Sequence, residues 1–209
     1  MVTVEQASTD ATSNAPFRVG FPASAAAAAD DADLVKHLTL VVNAVYAEDE
    51  RAIWEPATAF VRTNEEQVAQ YLRDGELALA WRTEDGEPAS ASVPGASRVM
   101  GCMRLHRMDS RTYQIGMLVS DPRFRGAGVG RELMRFAEAH AKENGAEVAQ
   151  VELLVPQHFV HPFKVRLEAW YTRLGYELTG TGDFAVTYPQ LVSILSGPTT
   201  FKIMEKPLR

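Results

Sequence analysis

Apolar residues recur along the chain with two periods, and the switches between them mark the elements. Alternating or continuous apolar runs bounded by turn formers predict strands at "FRVGFP" (17–22), "ELALAWRT" (76–83), "RVMGCMRLHRM" (98–108), "TYQIGMLVSD" (112–121) and "AEVAQVELLVP" (146–156). "YELTGTGDFA" and "TTFKIMEKPL" read as closing strands. Helical spacing groups Leu34, Leu38, Val41, Val42 and Val45 behind a cap at Asp33. It groups Val68, Tyr71 and Leu72 behind "TNEE" (63–66), which has the form of a capping box, with Gly75 ending that helix. A third helix, 128–144, turns Val129, Leu133, Phe136, Ala137 and His140 to one side. A fourth starts at Pro162 and stops at Gly175, with Phe163, Leu167, Trp170, Tyr171 and Leu174 inward.

Between these lie less regular stretches. "ASAAAAADDAD" is a low-complexity lead-in, 46–62 has no clean period and contains Pro56, and 84–97 is a turn-rich hairpin loop. Residues 1–15 are small and polar and read as a flexible tail ahead of one domain spanning 16–209. The order β-α-α-β-β-β-α-β-α-β-β predicts an α/β domain built round one mixed sheet.

A chain of 209 residues is long enough to bury a real core, and 46% apolar content is ordinary for a globular fold. A net charge of −6 argues against a dedicated nucleic-acid binder and is compatible with amine partners. The single cysteine, Cys102, lies in a strand-like run; it reads as a buried structural thiol, and no Cys-based zinc site or internal disulfide is available. Nothing is apolar for long enough to span a membrane, and the N-terminus lacks a secretory pattern, so a soluble cytoplasmic protein is expected.

Candidate chemistry begins at "RFRGAGVG" (123–130), between a strand and a helix. Gly126, Gly128 and Gly130 leave backbone N–H groups uncovered, and the helix that follows adds unpaired N–H groups and the positive end of its dipole. Arg123 and Arg125 supply charge-assisted bonds, so the junction reads as an anion site for a phosphate or pyrophosphate. The spacing differs from the dinucleotide fingerprint, and the GK[ST] of a P-loop is missing.

"MLVSDPRFRGAGVGRELM" resembles the acetyl-CoA motif of the GNAT superfamily (Gcn5-related N-acetyltransferases), whose Arg/Gln-x-x-Gly-x-Gly/Ala pattern is met at Arg125, Gly128 and Gly130. "EAWYTRLGYE" is similar to the family's C-terminal motif at Ala169, Trp170, Tyr171, Gly175 and Tyr176. The resemblance implies a mostly antiparallel sheet splayed at a cofactor slot. It also implies pyrophosphate binding by the amides of Arg125, Gly126, Ala127, Gly128, Val129, Gly130 and Arg131. The pantetheine arm would run along Met117, Leu118 and Val119, with a strand irregularity at Gly116 and an oxyanion-stabilising amide near Leu118. Tyr171 matches the tyrosine that often protonates the departing thiolate. Many relatives carry Asn where this chain has Lys164; that lysine is expected either to contact a CoA phosphate or to be solvated.

The general base is less defined. Glu152 in "VELLVP" is the first candidate, with His106, His158 and His161 as alternatives. The acceptor pocket is expected from 46–62, the loop after "VELLVP" and 184–200, shaped by Trp54, Phe60, Arg62, Phe159 and Tyr188. The resemblance therefore implies direct acetyl transfer from acetyl-CoA to a primary amine, with no metal and no covalent acyl-enzyme. The acceptor is expected to be a small molecule and the chain a monomer or homodimer, with no nucleic-acid or membrane partner. A peptide or protein acetyltransferase and a catalytically silent acyl-CoA-binding module are the alternatives.

Overall fold

A computed structural model describes residues 17–56, 60–83 and 93–209. The expected tail at 1–15 and most of the expected loop at 84–97 lie outside these residues. Seven strands form one sheet: β1 (Phe17–Gly20), β2 (Leu77–Arg82), β3 (Val99–Arg107), β4 (Thr112–Ser120), β5 (Val148–Pro156), β6 (Glu177–Asp183) and β7 (Thr199–Pro207). Their order is β1-β2-β3-β4-β5-β7-β6, antiparallel except where β4 meets β5.

The helices cover both faces. On one side lie α1 (Ala25–Asp30), α2 (Ala32–Asp49) and α3 (Glu65–Arg73). Their apolar stripes meet Leu77, Leu79 and Trp81 of β2. On the other, α4 (Val129–Glu143) and α5 (Pro162–Arg173) pack on Ala78, Ala80, Met103 and Ile115. Strand β2 is therefore buried on both faces from Leu77 to Trp81, which is why that run is continuously apolar instead of alternating.

The helix starts differ from the sequence expectation by small, explicable shifts. The alanine-rich lead-in folds as α1 because Ser24 caps it, its hydroxyl accepting from Ala27 N at 3.2 Å. Asp31, not Asp33, caps α2 through Leu34 N at 3.0 Å, and Asp33 falls in the first turn. Asn64, not Thr63, caps α3 through Gln67 N at 2.8 Å.

More consequential is the far end of α2. It continues to Asp49, into residues expected to be a loop or a broken helix, since Val45 and Tyr46 extend its stripe against the same core. Glu50 then caps the helix.

A third cluster, centred on Ile53, Trp54, Leu154, Phe184 and Phe201, lies apart from the two main cores. Here 52–55 is tied to 194–196: Trp54 bridges Leu195, and Ser196 N donates to Ile53 O at 2.9 Å. The segment after β6 contributes a short helix, α6 (Phe184–Thr187), and a 3₁₀ turn over Pro189–Ile194. Among the described residues, no helix is long and apolar enough to cross a membrane.

Candidate active site

Strands β4 and β5 pair for only four residues, from Thr112↔Val148 to Ile115↔Val151. Beyond that, β4 stays with β3, and β5 stays with β7 as far as Pro156↔Thr199. A bulge causes the divergence. Between Cys102↔Val119 and Arg104↔Gly116, β4 takes one residue more than β3. Met117 holds φ +47, the only non-glycine residue with positive φ among those described.

The irregularity is therefore one residue after Gly116, where it was expected. Its effect is to turn the strand over. Tyr113 and Ile115 face the α4–α5 core, whereas Met117 and Val119, which a regular strand would keep on that face, pack on the α1–α3 side.

The opening leads into a cavity of about 570 Å³ lined by both strands, the end of α2, Trp54, residues 60–63, α5 and the 184–201 region. Met117, Leu118, Glu152 and Tyr171 all line it, as do Trp54, Phe60, Arg62 and Tyr188. Trp54 and Phe60 stack at 3.7 Å between centroids. Phe159 is outside the lining; it packs between His158 and His161 at the β5–α5 connection, at centroid distances of 4.8 and 5.8 Å. His158 and His161 are likewise outside it. His106 reaches the cavity, but its Nδ1 is 2.7 Å from Glu76, which also holds Arg104.

Tyr171 is buried in the core, its ring 5.2 Å from that of Trp170 and 5.8 Å from that of Tyr176. Burial, helped by nearby Tyr46, pushes its phenol above the usual tyrosine range. The hydroxyl is thus held protonated, the state an acid needs. Burial also raises the Glu152 carboxyl, against an opposing hydrogen bond from Gln114. A raised carboxylate is a stronger base than a solvated one.

At the end of β4 the chain turns through Pro122–Phe124 into α4. Asp121 is buried and accepts from Arg123 three times: from its amide at 2.8 Å, its Nε at 2.9 Å and its Nη2 at 2.6 Å. Burial alone would raise this carboxyl; the bonds from Arg123 outweigh it and hold it below the usual value. Arg123 is thereby committed to shaping the turn, while Arg125 is exposed.

Gly126 and Gly128 adopt φ +84 and +80, a left-handed conformation that disfavours a side chain. Gly128 caps α4, so the N–H groups of Val129, Gly130 and Arg131 have no intrahelical acceptor. The helix sits close to the sheet because residue 101 is glycine: a Cβ there would be 2.4 Å from Val119 O and 2.9 Å from Val129. This loop fits a pyrophosphate, with backbone donors and a dipole end but no side chain in the way.

Lys164 departs from its expected place. It is neither solvated nor free for a phosphate: its Nζ donates to Glu50 Oε1 at 2.5 Å, and both side chains are buried. Trp54 Nε1 donates to the other Glu50 oxygen at 3.1 Å. Tyr46 and Glu50 fall within the 46–62 segment expected to supply the acceptor pocket, but the sequence does not single them out. The signal that could have found them is the continuation of the α2 stripe past Val45, which brings Tyr46 and Glu50 to the cavity.

Residues 44–176, more than half of the chain, match the family model described as the Acetyltransferase (GNAT) family. Solved structures with the same fold include an aminoglycoside 6'-N-acetyltransferase complexed with coenzyme A (13% identity, TM-score 0.57, covering 86% of this chain and 93% of that one). Ard1 from Thermoplasma volcanium aligns at 12% identity and TM-score 0.56, covering 92% and 97%. The NatC complex bound to Gag peptide and CoA aligns at 14% and 0.55, covering 92% and 99%. No curated protein matches the chain.

Proposed function

Since the chain belongs to the acetyltransferase (GNAT) family, we propose that it moves acetyl from acetyl-CoA to the primary amine of a small molecule. The observation that carries this reading is the β4 bulge at Met117. It opens the sheet into a cavity that two candidate groups of opposite role, Glu152 and Tyr171, both line.

The pyrophosphate would rest on the amides of Gly128 to Arg131, with Arg125 as the mobile charge beside them. The thioester supplies the activated acetyl group. Glu152 accepts the proton that the amine loses as its nitrogen bonds to the carbonyl carbon. A β4 amide near Leu118 faces the charge gathering on the carbonyl oxygen. Tyr171 gives its proton to sulfur as the C–S bond breaks. Cys102 takes no part; it is buried, and desolvation pushes its thiol up to about 12.

The aromatic wall of Trp54, Phe60, Phe184, Tyr188 and Phe201 supports a compact acceptor over an extended peptide. The test is free-thiol release from acetyl-CoA across amines, amino acids, aminosugars, polyamines and peptides. Release with a small-molecule class supports the reading. Release with peptides alone replaces the acceptor, and tight CoA binding without release on any class leaves an acyl-CoA-binding module.

A further inference from the structure

The charged groups of the cavity mostly cancel in pairs. Lys164 is held by Glu50, and Arg104 and His106 by Glu76. Asp49 lies in the field of Arg125 and Lys164. Three charged lining groups have no ion-pair partner among the described residues: Arg62, Asp49 and Glu152. Arg62 is the one cation of the three.

Arg62 is built into place. Its amide and that of Thr63 donate to Asn43 Oδ1 at 2.8 and 3.0 Å, and Asn43 Nδ2 donates back to Thr63 O at 2.9 Å. Its guanidinium lies 5.2 Å from the centre of the Tyr46 ring and hydrogen-bonds the Tyr46 side chain. That leaves most of its five N–H donors unspent, in a geometry that matches a carboxylate. A half-buried cation on an anchored backbone, beside the phenols of Tyr46 and Tyr188 and in the field of a Glu50 carboxylate already held by Lys164, is ready to take an anion without reordering.

We propose that the acceptor is an amine that also bears a carboxylate, a free amino acid in class, with the carboxylate on Arg62 and the amine toward Glu152. The inference rests on the acetyltransferase reading and narrows it. The cavity then meets the carboxylate of a zwitterion with its one unpaired cation, Arg62, and the ammonium with Glu152. It would disfavour polyamines and other purely cationic amines, which leave Arg62 facing a like charge.

The experiment uses the full chain with acetyl-CoA. Free amino acids, their C-terminal amides and the corresponding decarboxylated amines are compared in wild type, Arg62→Gln and Arg62→Lys. The acids should exceed their amides in kcat/KM by about 10- to 100-fold, the range of a charge-assisted hydrogen bond. Arg62→Gln should erase most of that ratio through KM, and Arg62→Lys should restore part of it.

Equal use of acid and amide, or a ratio unchanged in Arg62→Gln, overturns the proposal and leaves the transferase intact. Preference for phosphate-bearing amines by the same Arg62-dependent margin overturns the choice of carboxylate. Calorimetric titration of amino acids into the CoA-saturated chain gives a readout independent of turnover. Arg62-dependent binding there, with no thiol released by any acceptor, supports the carboxylate site and overturns the transferase reading.

Discussion

Tyr171 and Glu152 are both shifted by burial, and the shifts predict different behaviour. Tyr171→Phe removes only a hydroxyl from a packed ring, so folding and CoA affinity should persist. Turnover should fall by about 10²-fold or more if the phenol is the acid. Steady-state kinetics beside CoA binding checks this, and unchanged turnover across pH removes the assignment.

For Glu152 the folded carboxyl titrates above its unfolded value. Its contribution to stability is therefore full below the unfolded pKa and lost as pH rises through the folded one. Glu152→Gln should abolish the acidic limb of the rate profile. At neutral pH it should also melt no lower, and somewhat higher, than wild type. A variant that is inactive yet more stable is the signature of a site residue strained for function. A variant that melts lower would show a structural role.

At the scale of elements, the glycine loop is where sequence reading reached furthest. Gly126, Gly128 and the start of α4 were legible because left-handed turns and helix caps leave a compositional trace. Gly101 was not legible. Nothing local distinguishes it from any strand glycine; its reasons are the β4 backbone at Val119 and the start of α4 at Val129, both close against it. Gly128→Ala should cost about 1–2 kcal/mol in backbone strain and weaken CoA binding with it. Gly101→Ala should destabilise by about 1–3 kcal/mol and shift α4 on the sheet, lowering CoA affinity with the loop's own sequence untouched. Denaturant unfolding and CoA titration on both variants separate the effects.

The end of α2 is hidden for a different reason. The lack of a clean period from residue 46 and Pro56 suit a loop or a broken helix, and it is packing that carries α2 one turn further, to Asp49. The β4 bulge fell one residue from its expected place because a glycine was the obvious host; the structure puts the strained φ on Met117.

Across the whole molecule, Lys164 and Glu50 join the end of α2 to the start of α5 over the cavity. Sequence could not pair residues so far apart, and the substitution of Lys for the family's usual Asn suggested a ligand contact instead. Lys164→Met would strand a buried carboxylate and should destabilise by about 3 kcal/mol. Adding Glu50→Gln should recover much of that loss, since it removes the orphaned charge. Thermal unfolding of the single and double variants tests the coupling.

The separation of β4 from β5 has a consequence for the protein's life as a folded object. A sheet normally exposes unpaired edges only at its outer strands, but this one carries a gap in its middle, beyond Ile115 and Val151. With pantetheine in that gap, as proposed, the cosubstrate would act as a strand the polypeptide does not encode. Its binding free energy would then add to folding: about 2.7 kcal/mol when acetyl-CoA stands at a hundred times its Kd, and nothing when it is gone. The amount of intact protein would follow the supply of activated acetyl groups, so starvation for substrate would thin the enzyme population as well as idle it.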